Sequence, residues 1–300
     1  MIEKITSATN ARVKRLAALC KKARLRKEEQ VFLLEGERLY TDTPPAFMKE
    51  VYMTEEFLHD KLGGKAPEDC TILTPEIMRK VSDTETPQGV LCVARMPQYR
   101  MEDLLGALPV PTTVSAKSDV PYVTPEGKEY REAPLLLILE NIQDPGNLGT
   151  MMRTAEAAGA TGVLMSRDTV DLFNPKTVRA TMSAIFRVPF LYTDDLIGEM
   201  RALRDDYGVR IFAAHLKASR PYDEINYSGP CAFLIGNEGN GLSDAAADAA
   251  DARIHIPMKG QIESLNAAMA AGILMFEASR QRRTPDHSAL TDSAGSDSFT

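Results

Sequence analysis

The chain has 300 residues, with 35 lysines and arginines against 42 aspartates and glutamates, so its formal net charge is −7. This length is enough for two domains with buried cores, and no disulfides are needed for stability. The four cysteines are widely spaced, form no CxxC pair and have no histidine at metal-ligand spacing, which argues against a zinc site and a disulfide framework. The longest purely aliphatic run, 135–139, is too short to span a membrane. We therefore expect a soluble, cytoplasmic protein that uses neither a membrane nor a metal.

Positive charge is concentrated at the N-terminus. Residues 1–27 hold nine lysines and arginines and a single acid, Glu3, so this segment carries +8 and the remainder −15. Residues 10–27 place Val13, Leu16 and Leu19 on one helical face and cations on the others, which predicts a basic amphipathic helix or arm over 1–27. Such an arm suits contact with the phosphates of a nucleic acid, although the charges alone are equally typical of a solvated helix face.

The rest of the chain divides by its pattern into four parts. Strand-like and helix-like pieces alternate over 28–96 and predict a small α/β domain. Residues 97–133 are rich in proline, serine, threonine and charge, which predicts a linker or insertion with little structure, whose role stays open. Over 134–283, buried strand-like runs alternate with helices, one of them closed by Gly159, which predicts a parallel sheet with helices on both faces. The polar tail, 284–300, is predicted to be disordered.

Three segments in the C-terminal half set polar residues in short loops beside buried elements. They are NLGTMMRTAEAAGA (147–160), FLIGNEGNGLS (233–243) and IPMKGQIESLNAAMAAGILMFEASRQR (256–282). A packed core has no use for such polar residues, so the pattern is typical of a binding or catalytic site. The glycines of the second segment have the spacing GxxGxG, which differs from the dinucleotide fingerprint GxGxxG, so we do not expect a Rossmann-type cofactor.

Each segment also has an ordinary structural interpretation. Glu238 could be a surface residue of a glycine-rich turn, and Arg153, one to two turns into a helix, could pair with Glu156. Ser264 could be the N-cap of a helix that begins there, with Asn266 in its first turn. The helix predicted over 265–277 is small or apolar on every face, so we expect it to be packed on all sides, against cofactor loops or a second subunit.

In this order, the three segments resemble the motifs of the SpoU-type (TrmH-like) RNA ribose 2′-O-methyltransferases of the SPOUT superfamily. FLLEGERLY and SDTETPQGVLCVAR, nearer the N-terminus, are similar to the substrate-binding domain of many such enzymes. The resemblance implies an α/β fold, with a trefoil-knotted parallel-sheet domain preceded by a small ribosomal-protein-like α/β domain that binds RNA. It also implies a homodimer in which both subunits build the active site.

The resemblance further implies roles for residues at matching positions. Around the acceptor ribose it places Asn147, Arg153, Glu238, Ser264 and Asn266. At S-adenosylmethionine, largely through backbone groups, it places Gly236, Ile256 and Leu265. The implied reaction is methylation of a ribose 2′-hydroxyl, with ribosomal RNA favoured over transfer RNA because of the additional N-terminal domain. The alternative from another class is a ribosome-assembly or RNA-binding factor that kept the fold and lost turnover. A methyltransferase for a small molecule or a protein fits the basic N-terminus less well.

Overall fold

Two sheets, one after the other along the chain, form the core of the computed structural model. The structure describes residues 2–106, 122–123, 129–130, 132–216, 218–262 and 264–283. The predicted disordered tail 284–300 lies outside the described residues, as does most of the predicted linker 97–133. Among the helices in the described parts of the chain, none is long and apolar enough to cross a membrane.

The N-terminal domain is built on a five-stranded sheet. Its strands, in the order β1-β4-β3-β5-β2, are β1 (Glu3–Ile5), β2 (Val31–Glu35), β3 (Met48–Met53), β4 (Cys70–Leu73) and β5 (Val90–Arg95). Its helices are α1 (Ala11–Lys21), α2 (Ala23–Glu29), α3 (Glu37–Asp42), α4 (Glu55–Leu62) and α5 (Pro75–Val81). β3 is parallel to β4 and antiparallel to β5. Because β1 pairs with β4, residues 3–5 belong to this sheet, and the interpretation of 1–27 as a separate arm is wrong.

The predicted helix over 10–27 is interrupted. Val13, Leu16 and Leu19 are fully buried, as predicted, but Lys22 has an extended backbone that separates α1 from α2. A local contact spans the break, because the guanidinium of Arg26 donates hydrogen bonds to the carbonyl oxygens of Leu19 (2.8 Å) and Cys20 (3.2 Å). These carbonyls lie in the last turn of α1, where a helix has no partners of its own for them.

Part of the predicted linker is structured. Met101–Leu104 form a short helix (α6), and Tyr122–Val123 (β6) pair with Glu129–Tyr130 (β7) in antiparallel fashion. Leu104 and Leu105 are fully buried, and a Cβ atom on Gly162 would lie 2.6 Å from the Leu104 side chain. The prediction of little structure is therefore wrong at these positions.

The C-terminal domain is built on a seven-stranded parallel sheet. Its strands, in the order β10-β9-β8-β13-β11-β14-β12, are β8 (Leu135–Leu139), β9 (Gly162–Ser166), β10 (Phe190–Thr193), β11 (Arg210–Ala214), β12 (Arg220–Pro221), β13 (Cys231–Ile235) and β14 (Ala252–His255). Its helices are α7 (Pro145–Ala158), α8 (Pro175–Thr181), α9 (Leu196–Tyr207), α10 (Asp244–Ala249) and α11 (Ala267–Arg283). Gly159 closes α7 in a left-handed conformation (φ +79°), as predicted.

Helices cover both faces of this sheet, which confirms the predicted architecture. Leu135, Leu137 and Leu139 of β8 pack with α7 and α11, whereas Leu136 and Ile138, which point to the opposite face, pack with α9. The trefoil knot stays a prediction.

The two domains share one apolar core. The Phe32 ring of β2 lies 5.0 Å from that of Phe173 and 5.8 Å from that of Phe186, centroid to centroid. At the edge of this contact, Arg179 of α8 forms an ion pair with Asp83 (2.6 Å). The N-terminal domain is thus packed directly on the C-terminal domain, on the side of the sheet covered by α7 and α8.

Candidate functional site

A cleft of about 610 Å³ opens where β11, β13 and β14 end. Carboxyl ends of neighbouring parallel strands meet at one edge of a sheet, which is where open α/β sheets bind their ligands. The cleft is lined by residues 214–216 at the end of β11, 236–241 after β13 and 256–258 after β14, and by Ile262, Ser264, Leu265 and the first turns of α11. Two of the three segments singled out in the sequence, 233–243 and 256–282, therefore line this cleft, whereas no residue of 147–160 does.

The glycine-rich loop after β13 is held by its own backbone and by Asn237. The backbone N–H groups of Asn237 and Gly241 each donate to the other residue's carbonyl oxygen (3.0 and 2.9 Å). The Asn237 side chain accepts hydrogen bonds from the N–H groups of Gly239 (2.9 Å) and Asn240 (3.0 Å). A Cβ atom on Gly236 would lie 2.4 Å from the carbonyl carbon of Gly241, so the turn itself requires glycine there.

Glu238 joins this loop to the start of α7. One carboxylate oxygen accepts hydrogen bonds from the Asp144 N–H (3.1 Å) and the Asn147 side chain (3.0 Å), and the other accepts from the Gln143 N–H (3.1 Å). Partial burial raises the pKa of Glu238, but these hydrogen bonds lower it by more, so the pKa lies below its usual range. Glu238 is exposed in area, yet it is a charged anchor between two loops rather than the free surface residue of the ordinary interpretation.

Asn147 and Asn266 are hydrogen-bonded to each other. The Asn266 side-chain amide donates to the side-chain oxygen of Asn147 (3.0 Å), whose own amide donates to Glu238. Asn147 lies in the first turn of α7, not in the preceding loop, because Asp144 caps this helix and Pro145 begins it. The three polar side chains thus form one chain of hydrogen bonds across the three segments.

The last helix begins later than predicted. The side-chain oxygen of Asn266 accepts hydrogen bonds from the N–H groups of Ala268 (2.9 Å) and Met269 (3.3 Å), so Asn266 is the N-cap and α11 starts at Ala267. The interpretation of Ser264 as the N-cap is therefore wrong, and Ser264 lies in the loop that lines the cleft. Within one protomer α11 is not packed on all sides, since Ala271 is fully buried while Met269 is 60% exposed and Phe276 is 44% exposed.

Arg153 is the one predicted site residue that stands apart. The cleft is lined by Gly236, Glu238, Ile256, Ser264 and Leu265, and Asn147 and Asn266 adjoin it through Glu238. Arg153 lies on the exposed face of α7, and no ion pair or hydrogen bond to its side chain is found among the described residues. Its expected partner Glu156 instead pairs with Arg187, two bonds joining the guanidinium and the carboxylate.

Sequence reasoning missed one wall of the cleft. Ala214 is the last residue of β11, the strand paired with β13, and it lines the cleft together with His215 and Leu216, which follow it. The strand-like run VRIFAAHL (209–216) was a signal, because residues at the carboxyl end of a parallel strand lie at the binding edge. Asn237 was also missed, although asparagine commonly hydrogen-bonds backbone groups two residues onward in turns.

These residues fit S-adenosylmethionine. The cleft volume lies within the range of about 300–1,000 Å³ that is usual for small-molecule sites. Leu265, Leu274 and Ile256 supply apolar walls suited to an adenine ring. The peptide groups of the loops 236–241 and 256–258 lie outside helices and strands, where they can form hydrogen bonds with the polar edges of a ligand. In the described parts of the chain, no group of three or more histidine, cysteine, aspartate or glutamate residues is placed to hold a metal ion.

Comparison with known proteins identifies both domains. Residues 134–276 match the SpoU rRNA Methylase family, and residues 10–92 match the MRM3-like substrate binding domain. The 23S rRNA (guanosine(2553)-2′-O)-methyltransferase RlmP of Bacillus subtilis is 32% identical over 289 residues, which cover 92% of this chain and 98% of that protein. The human mitochondrial rRNA methyltransferase 3 is 28% identical over 328 residues, which cover 91% and 73%.

A solved structure supports the same assignment. The crystal structure of an AdoMet-bound rRNA methyltransferase from Sinorhizobium meliloti superposes with a TM-score of 0.76 at 30% identity, covering 94% of this chain and 99% of that one. The chain therefore belongs to the SpoU rRNA methylase family, and it is an S-adenosylmethionine-dependent methyltransferase with the SPOUT fold.

Proposed function

We propose that this methyltransferase modifies a ribose 2′-hydroxyl in ribosomal RNA. The observation that carries the proposal is the hydrogen-bonded chain Asn266–Asn147–Glu238 at the mouth of a cleft that fits S-adenosylmethionine. Support for ribosomal RNA comes from the relatives, two of which are named as rRNA methyltransferases and match along nearly the whole of this chain.

The protein's own task in this reaction is to position the hydroxyl and stabilise charge. When bound, S-adenosylmethionine supplies a methyl group on a sulfonium that leaves as a neutral thioether, so no acid is needed at the leaving group. Asn147 and Asn266, fixed by each other and by Glu238, are held beside the cleft and can orient the ribose. Every hydrogen bond that Glu238 accepts from the protein joins it to the start of α7 or the loop before it, so we assign it a structural role and not that of the general base.

We assign Arg153 to the acceptor phosphate and the developing alkoxide. A guanidinium stays charged at neutral pH because its pKa exceeds about 12, so it is poorly suited to accept the hydroxyl proton. As a fixed cation it can bind the phosphate next to the ribose and stabilise negative charge as the proton leaves to water or phosphate.

This assignment requires a second copy of the chain. Arg153 lies outside its own cleft, on the exposed stripe of α7. α11 runs alongside α7, since a Cβ atom on Gly272 would lie 3.3 Å from Cγ2 of Thr154, and α11 exposes Met269 and Phe276. Large apolar side chains on a long helix favour burial against another protein surface. We propose a homodimer in which this face is covered by its copy and Arg153 serves the partner's cleft.

The substrate RNA is proposed to contact the outer face of α1 and α2. Of the nine cations in residues 1–27, four are exposed and make no ion pair with a described residue, namely Lys14, Lys21, Lys22 and Lys27. The other five are engaged by carboxylates, as in the pairs Arg15–Glu29 (2.6 Å) and Lys4–Glu55 (2.7 Å). Unpaired cations are the ones whose phosphate contacts release counterions, so these four are the best candidates for RNA binding.

The deciding experiment is methyl transfer from labelled S-adenosylmethionine. Purified protein would be incubated with ribosomal RNA and transfer RNA from cells that lack the gene, with and without EDTA, and the modified nucleotides mapped. We expect 2′-O-methylation at one ribosomal RNA position, unaffected by EDTA. Label in transfer RNA only would show that transfer RNA, and not ribosomal RNA, is the substrate. Cofactor binding without transfer to either RNA would favour a non-catalytic RNA-binding factor. We also propose a cytoplasmic location, which the four free cysteines support and cell fractionation would test.

A further inference from the structure

A buried cation crosses the boundary between the two domains. Arg26 of α2 is only 3% exposed, and its guanidinium contacts Asp171 of the C-terminal domain at 2.5 Å. The same guanidinium holds the Leu19 and Cys20 carbonyls at the end of α1, so Arg26 is fixed by its own domain before it reaches across. The second oxygen of Asp171 accepts a hydrogen bond from the Phe173 N–H (3.1 Å).

Asp171 belongs to a segment, 168–172, that is hydrogen-bonded to the loop between β8 and α7. We call this loop (140–144) and the glycine-rich loop after β13 (236–241) the catalytic loops. The Val170 N–H donates to the Ile142 carbonyl (2.8 Å), and the Gln143 side chain donates to the Asp168 carbonyl (2.8 Å). The backbone N–H of Gln143 is in turn one of the three donors to Glu238. Hydrogen bonds and the short stretches of main chain between them therefore join the interdomain ion pair to the anchor of the proposed ribose site.

The segment is also held from the side of the sheet. The Tyr192 hydroxyl of β10 accepts a hydrogen bond from the Leu172 N–H (2.9 Å) and donates one to the Val170 carbonyl (2.7 Å), so both neighbours of Asp171 are fixed. A displacement of Asp171 would therefore strain the hydrogen bonds of its neighbours, including the bond from Val170 to Ile142.

Attachment of the domains alone does not require a charged pair. The aromatic contacts of Phe32 with Phe173 and Phe186 already bury apolar surface across the boundary. Apolar contacts tolerate sliding, whereas a buried ion pair is satisfied in few geometries, and replacing one with apolar residues often costs no stability. The Arg26–Asp171 pair is therefore better explained as fixing the orientation of the two domains than as holding them together.

We propose that Arg26 and Asp171 are positioning residues that fix the angle between the RNA-binding domain and the catalytic loops and thereby select the nucleotide that reaches the cleft. This inference rests on the proposed function, since it assumes that the N-terminal domain holds the RNA whose ribose is methylated. An error of about 1 Å in the placement of reacting groups can cost on the order of 10²-fold in rate, so a small change in the domain angle is sufficient to matter.

The test compares Asp171→Asn and Arg26→Met with the wild type on the mapped ribosomal RNA. We expect kcat at saturating RNA and cofactor to fall about tenfold or more in each variant, with the KM for S-adenosylmethionine changed by less than about twofold. We also expect a larger share of methyl groups at nucleotides other than the wild-type target. The double variant should be no worse than the more affected single variant, because each residue acts through the other.

Arg204→Met is the matched control. Arg204 also contacts a carboxylate (Asp251, 3.6 Å) and a carbonyl (Ala249, 3.2 Å), but within the C-terminal domain and away from the boundary. It should leave kcat and target choice unchanged. Circular dichroism checks folding, and if Asp171→Asn does not fold, Arg26→Lys is judged by the same measurements, since lysine keeps the charge but cannot bond the carboxylate and both carbonyls together.

The outcomes separate this inference from the proposed function. Wild-type protein that transfers no methyl group to ribosomal RNA overturns the proposed function, and this inference with it. An active wild type, with folded variants that keep both kcat and target choice, overturns the positioning role alone. A lower melting temperature without either change would mean that the pair only stabilises the fold, which also overturns the inference.

Discussion

Replacing Glu238 with glutamine tests whether the carboxylate anchors the two loops. Glutamine has nearly the same shape but only one acceptor oxygen, whereas Glu238 accepts three hydrogen bonds from protein donors at 3.0–3.1 Å. If that oxygen faces Asp144 and Asn147, the new amide group faces the Gln143 N–H, donor against donor. One hydrogen bond is then removed, and two change from charge-assisted to neutral.

The size of the effect follows from these three bonds. A hydrogen bond to a charged group contributes about 1.5–3 kcal/mol and a neutral one about 0.5–1.5 kcal/mol, so a fully buried site would lose about 3.5–6 kcal/mol. Glu238 is exposed, and solvent can replace part of this stabilisation. We therefore expect a local loss of about 1–2 kcal/mol, which corresponds to about 5–30-fold in the opening equilibrium of the loop.

Hydrogen exchange measures that equilibrium directly. The amides of Gln143 and Asp144 should exchange about 5–30-fold faster in Glu238→Gln, and kcat should fall because the bond that holds Asn147 loses its charge assistance. Glu224→Gln, at an exposed glutamate without a hydrogen bond to its side chain among the described residues, is the matched control and should change neither quantity. Wild-type protection at both amides, together with wild-type kcat, would refute the anchoring role.

The lowered pKa of Glu238 sets the pH window of this contribution. The folded-state pKa lies below the value of about 4.3 expected for an unfolded chain, so the stabilisation is fully present above that pH and is lost as the pH falls through the folded-state pKa. Between pH 6 and 9 the carboxylate does not titrate. The wild type and Glu238→Gln should therefore show pH profiles of the same shape in this range.

Five further predictions concern the cofactor loop, the catalytic cation, the dimer and the RNA face. Gly236→Val should weaken cofactor binding in calorimetry, because the first added carbon would already lie 2.4 Å from the Gly241 backbone; unchanged affinity would remove this loop from the site. Arg153→Ala should lower methyl transfer by about 10²-fold or more at nearly unchanged cofactor affinity, and a rate above a tenth of wild type would contradict its role. Mixing these two inactive variants as exchanging dimers should restore about a quarter of the wild-type sites if each site draws on both subunits, and none if it does not. Phe276→Arg should give inactive monomers or aggregate in sedimentation, whereas a wild-type protein that is an active monomer at micromolar concentration would contradict the dimer. Four lysines, Lys14, Lys21, Lys22 and Lys27, are to be replaced by glutamine. This should reduce the log–log slope of RNA affinity against salt concentration by about 0.9 for each phosphate that is no longer neutralised. An unchanged slope would show that these lysines are merely solvated.

Local patterns in the sequence were enough to predict the layers of the fold. The aliphatic run of β8 and the alternation of strands and helices after it indicated a parallel sheet covered on both faces, and both were confirmed. The interruption at Lys22 was not predictable in the same way, because KKARLRK has good helix propensity and is overridden by contacts of Arg26. The order of strands likewise depends on pairings between residues far apart in the sequence.

The candidate site was predictable in its loops and less so in its side-chain partners. Asp144-Pro145 is a helix-start signal that should have placed Asn147 inside α7. Glu156 pairs with Arg187, which is 31 positions away. Rules for neighbouring residues on a helix predict only the i,i+3 pair with Arg153, so they could not predict this partner. The exposure of Arg153 outside its own cleft is a property of the folded protomer that the motif alone could not reveal. The site roles themselves stay predictions until the variants are measured.

The two sheets differ in how soon during synthesis their strands can pair. All five strands of the first sheet have emerged by Arg95, so this sheet can close while later residues are still being added. β8 lies in the interior of the second sheet and pairs with β13, which starts only at Cys231, and such distant pairing slows folding. A nascent N-terminal domain therefore presents Phe32 and Arg26 to the cell until residues 171–186 arrive to cover them. We expect aggregation to be most favoured in that interval, because the apolar ring of Phe32 is then exposed.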